Sequence, residues 1–190
     1  MSPMINIREA NSADVEAISQ LHIASAQQTY AHILPRSYLF ERMPTERRLL
    51  WQERLMNPSR SEQHLVFVAE NASREVCGFL AVVFDDTDPW GAFIHNLHIA
   101  ATHQRRGIAR RLLTEAVAQV PAAMLKKGVH LLVYEQNLNA RALYDRLGGV
   151  VKEQVEESVD GEVPVYLLRY VWSSLSAFRC QVTQIERSAT

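Results

Sequence analysis

Apolar residues follow two rhythms along this chain, and the places where one gives way to the other mark its elements. Runs that alternate apolar with polar, or stay apolar over a short stretch, predict strands; apolar residues three and four apart predict helices. Ile5–Arg8 alternates and reads as a first strand. A helix follows from a cap at Asn11 or Ser12 to about Thr29. Asp14 and Glu16 in its first turn complement the helix dipole, and Val15, Ile18, Leu21 and Ile23 form its apolar side. Residues 31–38 are irregular around Pro35, and a second helix runs from about Pro44 to Met56, where Asn57-Pro58 stops it. His64–Ala69 and Val76–Phe84 read as a hairpin about the polar turn Asn71-Ala72-Ser73-Arg74. Ala92–Ile99 is the next strand. Ile108, Leu112, Leu113, Ala116, Val117 and Val120 then form a helical stripe that ends or kinks at Pro121. Val129–Tyr134 is a compact apolar strand after Lys126-Lys127-Gly128. Asn139 stands where it can cap a short helix, Ala140–Leu147, stopped by Gly148-Gly149. Val150–Glu156 and Val163–Val171 alternate on either side of Asp160-Gly161, the strongest hairpin turn in the chain. After Trp172 the chain is Ser-rich at first and poorly patterned, and is expected as an extension that is partly ordered or packs on a neighbour.

This order predicts an α/β fold of the α+β kind with a mixed sheet. The strand at 92–99, the helix after it and the strand at 129–134 make one βαβ unit, whose strands should be parallel neighbours with a right-handed connection. The hairpins make the remaining pairs antiparallel. A length of 190 residues suits one domain, or one domain with an appendage, and 47% hydrophobic with 22% charged residues is an ordinary globular composition.

Charge removes some function classes. The net charge of −1 lacks the bulk positive potential of a nucleic-acid binder. No apolar run is long enough to span a membrane, and residues 1–5 lack the apolar core of a signal peptide, so a cytoplasmic protein is expected. Cys77 and Cys180 lie far apart and form no metal or redox motif; Cys77 reads as core. Asp85, Asp86 and Asp88 resemble a metal loop only faintly, so a solvated loop is favoured and no metal is expected. Arg36, Arg42, Arg47, Arg48 and Arg54 are interleaved with Glu41, Glu46 and Glu53. The mixed signs favour a solvated helix face over a site for an acidic ligand.

Candidate chemistry concentrates after the fourth strand, in Gln104-Arg105-Arg106-Gly107-Ile108-Ala109. A strand, a tight basic turn and a helix with small first residues describe a place to hold phosphate. The first N–H groups of a helix lack partners, and its N-terminus carries partial positive charge. Gly107 lets an anion approach the backbone, Ala109 keeps the next turn slim, and the two arginines add full charges. The alternative is a glycine that only eases the turn beside two solvated arginines. Neither of the common nucleotide fingerprints is present.

Gln104, Gly107 and Ala109 match the acyl-CoA motif of the GCN5-related N-acetyltransferase (GNAT) superfamily. Asn137-Leu138-Asn139-Ala140-Arg141-Ala142-Leu143-Tyr144, followed by Leu147-Gly148, matches a second signature of that family. Both motifs stand in the right order, separated by a strand, and the element order over about residues 4–172 resembles the GNAT fold. The resemblance implies a central, mostly antiparallel seven-stranded sheet with one parallel βαβ pair and about four helices. It implies one acyl-CoA N-acyltransferase domain over 1–172, followed by a C-terminal extension over 173–190.

It also implies acetyl-CoA as cosubstrate and a primary amine of a small molecule or peptide as acceptor, joined in a ternary complex. By resemblance, backbone groups of Leu97, His98 and Ile99 pair with the pantetheine arm, and those of Gln104, Arg105, Arg106, Gly107, Ile108 and Ala109 hold the pyrophosphate. Asn137 contacts the cofactor arm and Tyr144 protonates the departing thiolate. A phenol of pKa about 10 is protonated at neutral pH, where it can supply that proton. Spacing alone favours a core aromatic at Tyr144, and Asn137 could equally be only a loop or capping residue.

The base is less defined. Many relatives carry Glu on the fourth strand; here His95 and His98 stand there, expected one on each face by alternation. His95, Glu135 at the end of the fifth strand, and His98 are the candidates, in that order. Tyr30, His32 and Tyr38 are candidates to line the acceptor side. Ala101 stands where the family often has Pro, and Gly149 where it often has an aromatic. A homodimer through the last strands or the tail is compatible with the sequence but not required by it, and the region 30–55 resembles small bacterial members. Two other readings stay open. One is a GNAT-fold module that binds acyl-CoA without turnover; the other is an unrelated α/β protein that uses the turn for another phosphate ligand.

Overall fold

The computed structural model describes residues 5–57, 64–85, 87–120, 126–159 and 163–184. Pro58, Asp86, Pro121 and the turn at Asp160-Gly161 lie outside the described residues. The strands are β1 (Asn6–Glu9), β2 (His64–Glu70), β3 (Val76–Val83), β4 (Ala92–Ile99), β5 (Val129–Tyr134), β6 (Val150–Val159) and β7 (Val163–Trp172). The helices are α1 (Val15–Thr29), α2 (Met43–Met56), α3 (Ile108–Ala118), α4 (Leu138–Arg146) and α5 (Leu175–Gln184). One seven-stranded sheet runs β1-β2-β3-β4-β5-β7-β6. Every neighbouring pair is antiparallel except β4–β5, the two strands of the βαβ unit. The fold is therefore the mixed α/β architecture expected from the element order.

Local chemistry starts each part as its residues dictate. Asn11 Oδ1 accepts from the Ala13 N–H at 2.9 Å while Asp14 Oδ2 accepts from the Asn11 N–H at 2.8 Å, a reciprocal cap at the entry to α1. Arg8 on β1 bridges Asp14 at 2.8 Å and Glu70 on β2 at 2.7 Å, tying the helix entry to the sheet edge. Its guanidinium holds both carboxyls below the usual carboxylate range.

The sheet buries both faces. α1 and α2 cover one, where Ile18 and Trp51 pack on Val66, Val68, Phe79 and Ala81. α3 covers the other with Leu112, Leu113 and Ala116 against Leu80, Val82 and Ile94. The same core includes Leu175, Phe178 and Val182, exposed 2%, 1% and 0%. The stretch expected as a poorly patterned extension is thus a helix seated on the main core through at least residue 182. Its spacings of three and four were present in the sequence, but Ser173, Ser174, Ser176 and Thr183 diluted them.

Two features of β4 shape the site. First, β4 and β5 pair only at Ala92↔Val129 and Phe93↔His130. Beyond Phe93 the strands part and leave a fork. Its closed end is pinned by His130, which bonds Asp88 at 3.0 Å and Arg169 at 2.8 Å and stacks on Phe93 at 4.7 Å.

Second, the β3–β4 register steps from Val82↔Ile94 to Ala81↔Asn96, so His95 is the extra residue of a bulge. A bulge shifts side-chain parity by one. His98 stacks on Phe79 at 5.2 Å, while Asn96 bonds Arg54 of α2 at 3.1 Å and His95 at 2.7 Å. His95, Asn96 and His98 thus share the face of α1 and α2. The expectation of one histidine on each face is corrected, because simple alternation does not survive a bulge.

Candidate active site

The fork opens into a cavity of about 250 Å³. β4 lines one wall through Phe93 to His98, β5 the other through Leu131 to Tyr134, and Asn137, Ala140 and Tyr144 of the following segment contribute as well. Past Phe93 the edge of β4 has no β5 partner, so backbone N–H and C=O groups on that edge are available to an extended ligand, as at any unpaired strand edge.

Tyr144 sits where a buried ring meets this cavity. Its side chain packs on Tyr170 and Trp172 with ring centroids 5.7 and 6.3 Å apart. The residue is 8% exposed, and its hydroxyl has no hydrogen-bond partner among the described residues. Burial first, then Tyr30, pushes the phenol well above its ordinary value, so it keeps its proton throughout the neutral range.

His95 lies on the opposite wall. Asn96 Oδ1 accepts from Arg54, which identifies that atom as oxygen and places the neighbouring His95 proton on Nδ1. Nε2 then carries the lone pair, with no partner among the described residues. His95 is exposed as a residue and lines the cavity, whose walls crowd its ring. Burial, with Arg54 and Arg47 nearby, lowers its pKa to about 4 against the weaker opposing bond to Asn96. His98, bonded through Nδ1 to Ser25 at 3.0 Å, is lowered to about 4 by burial, Arg47 and His95. His22 accepts from Trp51 Nε1 at 3.1 Å and, buried beside His98, is lowered well below its ordinary value.

The anion turn has the geometry its residues suggest. Gly107 begins α3 at φ 74° and Arg105 sits at φ 61°, both left-handed. The first hydrogen bond of α3 runs from the Arg111 N–H to the Gly107 carbonyl at 3.1 Å, so the N–H groups ahead of it have no backbone partner within the helix. A Cβ on Gly107 would meet only Arg110 Nη2, at 4.0 Å, so the open φ and not packing demands glycine. Gln104 Nε2 bonds the Ile99 carbonyl at 3.2 Å and joins the turn to the end of β4. Arg105 and Arg106 are exposed. Successive free N–H groups beside two arginines fit a pyrophosphate.

The structure sorts the expected residues. Tyr144, His95, Leu97, His98, Asn137 and Tyr30 line the one cavity. Asn137 caps α4 by accepting from the Ala140 N–H at 3.3 Å, the place expected for Asn139. Ile99 ends β4 beyond the cavity. Glu135 lies outside, its carboxylate accepting from Gln154 at 3.2 Å. His32 is exposed, and Tyr38 stands behind the cavity lining, its hydroxyl donating to Glu46 at 3.0 Å and accepting from the lining residue Arg47 at 3.3 Å.

Residues not anticipated also line the cavity: His22, Arg47, Tyr134 and Glu157. The solvated-face reading of the α2 arginines fails at two positions. Arg54 is 8% exposed with its guanidinium 5.3 Å from the Trp51 ring, and Arg47 faces the cavity. Arg47, Trp51 and Arg54 stand four and three apart, so the buried Trp51 marks the inward face they share. That spacing was the available signal.

Residues 26–149 match the family model of the Acetyltransferase (GNAT) family. The chain belongs to this family. The uncharacterized N-acetyltransferase YuaI of Bacillus subtilis is 26% identical over 114 residues, which span 59% of this chain and 62% of that protein. The chain thus matches less than two thirds of that relative's length. Among solved folds, the PaiA N-acetyltransferase of Thermoplasma acidophilum in complex with coenzyme A superposes with a TM-score of 0.66 at 23% identity, covering 89% of this chain and 99% of that one. A spermidine N-acetyltransferase SpeG chimera from Vibrio cholerae and hSSAT superposes at 0.63 with 20% identity, covering 92% and 97%. These likenesses show a GNAT fold. Among the described residues no helix is long and apolar enough to cross a membrane, and no group of His, Cys, Asp and Glu side chains gathers as a metal site.

Proposed function

We propose that this GNAT chain moves the acetyl group of acetyl-CoA directly to a primary amine of a small molecule or peptide. The observation that carries the reading is that one cavity, in the fork of β4 and β5, gathers the Tyr144 hydroxyl, the free Nε2 of His95 and the unpaired edge of β4. Acetyl-CoA supplies an electrophilic thioester carbonyl and a thiolate leaving group. N–H groups ahead of Arg111, with Arg105 and Arg106, hold its pyrophosphate; backbone groups of Leu97, His98 and Ile99 and the Asn137 side chain hold its arm.

Each residue then has a task that its environment permits. Unpaired N–H groups of β4 stabilise negative charge on the carbonyl oxygen. Tyr144, kept protonated by burial, gives its proton to the departing sulfur. His95 accepts the proton shed as the carbon–nitrogen bond forms. The amine attacks in its neutral form, having lost its first proton to solvent. The cationic nitrogen of the tetrahedral adduct is more acidic than a free ammonium, so a base of depressed basicity can still take the second proton. Asn96 orients the ring by accepting from Nδ1, and Arg54 holds Asn96. No covalent enzyme intermediate is needed; Cys77 is buried, donates to the Ala69 carbonyl at 3.3 Å and has its thiol pushed up by burial. In this reading the enzyme works in the bacterial cytoplasm, without a metal.

The test is thiol release from acetyl-CoA across an amine panel, with CoA affinity measured in parallel on the wild type and on Gly107→Glu. Release with one amine class supports the reading. Glutamate at 107 is strained at φ 74° and sets a carboxylate among the phosphate donors, so CoA binding should be lost. Unchanged affinity in that variant removes the anion-turn assignment, and CoA binding without release from any amine favours a non-catalytic module.

A further inference from the structure

Arg47 enters the cavity from α2, and no carboxylate among the described residues bonds it directly. Arg8, Arg42 and Arg169 each bond a carboxylate, at 2.7, 3.4 and 2.5 Å. Among the described residues Arg47 donates only to the Tyr38 hydroxyl, at 3.3 Å, and that hydroxyl itself donates to Glu46. The Nε of Arg47 is buried with no hydrogen-bond partner. A buried cationic donor with no acceptor is costly, and native folds keep few of them away from functional sites. The charge acts on the interior of the cavity, since Arg47 depresses the basicity of His22, His95 and His98. Burial first, with Arg47 adding to it, keeps the histidines lining the cavity neutral at pH 7. Among the described lining residues only Arg47 and Glu157 carry formal charge, and Glu157 is exposed. The inner acceptor side is thus positive, a poor place for a polycation.

We infer that the acceptor carries a carboxylate beside its amine, and that Arg47 binds this carboxylate and selects small amino acids over polyamines. The guanidinium offers planar donors that suit a carboxylate, while the amine of the same molecule faces the reacting end of the fork. This inference rests on the acetyltransferase reading and names its substrate class.

The experiment pairs chemistry that differs only in charge. The full-length protein is assayed with α-, β- and ω-amino acids and with their amides, and with spermidine, for kcat and KM. The same amino acids are titrated calorimetrically into CoA-loaded protein. A charge-assisted bond contributes enough for the acid to exceed its amide by about 10- to 100-fold in kcat/KM. In Arg47→Gln and Arg47→Ala that ratio should fall toward one, through KM rather than kcat, and calorimetric binding of the acid should be lost. Equal kcat/KM for acid and amide in the wild type, spermidine as the best acceptor, or an acid-to-amide ratio that survives both variants overturns the inference. Absence of turnover with every amine counts against the acetyltransferase reading instead. The titrations then still decide Arg47: amino-acid binding lost in Arg47→Gln supports its role, and no binding by the wild type refutes it.

Discussion

Tyr144 is a core side chain that also lines the candidate site. Its ring packs with Tyr170 and Trp172, and the residue lines the cavity. The packing reading of Tyr144 is thus seen in the fold, and it leaves room for the proposed acid role. The same neighbours explain Gly149. A Cβ there would meet Trp172 Cζ2 at 2.7 Å and Tyr170 Cδ1 at 2.9 Å, so the aromatic that relatives place at this position has no room. Tyr144→Phe keeps the ring and removes only the hydroxyl. Turnover should fall by about 10²- to 10⁴-fold, the usual contribution of a general acid, while acetyl-CoA affinity and the melting temperature change little. Steady-state kinetics alongside a thermal melt check this, and normal turnover in the variant would release Tyr144 from the acid role.

At the scale of elements, three departures from simple patterning decide the site. The bulge at His95 turns a strand with one histidine per face into a wall with both on the cavity. The fork exists because β5 leaves β4 after Phe93↔His130, where the His130–Asp88–Arg169 cluster holds the closed end. α5 completes the core beneath α3, with Phe178 against Trp172 at 4.7 Å. Phe178→Ala should then cost about 3–5 kcal/mol, as for other buried aromatics cut to alanine. In a chain of this size that lowers the melting temperature by roughly 6–20 °C. Calorimetry would show it, and a shift within error would mean that α5 is only loosely attached.

Over the whole molecule, the histidines of the core and the cavity should dominate the pH dependence of stability. His22, His95, His98 and His130 all have basicity lowered by the fold, to about 4 for His95 and His98. Between their unfolded pKa of about 6.5 and the folded values, the unfolded chain binds protons that the folded chain refuses. Stability is therefore fully present above about pH 6.5 and is lost as pH falls toward 4. The carboxylates of Asp14 and Glu70, lowered by Arg8, add their loss only below about pH 4. Melting temperature recorded from pH 7.5 to 4.5 should drop steadily across that window, and less steeply in His98→Gln. A flat profile to pH 5 would show that these rings are hydrated in solution.

Local pattern determined the elements, their order, the single parallel pair and the two family motifs. Period, caps and turn residues act within a few positions of one another, so Asn71–Arg74, Ile108–Val117 and Ala140–Tyr144 could be read as they stand. Arg47 beside His98, the shared face of His95 and His98, and the exclusion of Glu135, His32 and Tyr38 could not. Each depends on how far two strands stay paired, where a bulge shifts parity, or which side of an arginine-rich helix meets the sheet. Those choices maximise buried apolar area and limit unpaired buried charge over the entire chain, and only the tertiary structure resolves them.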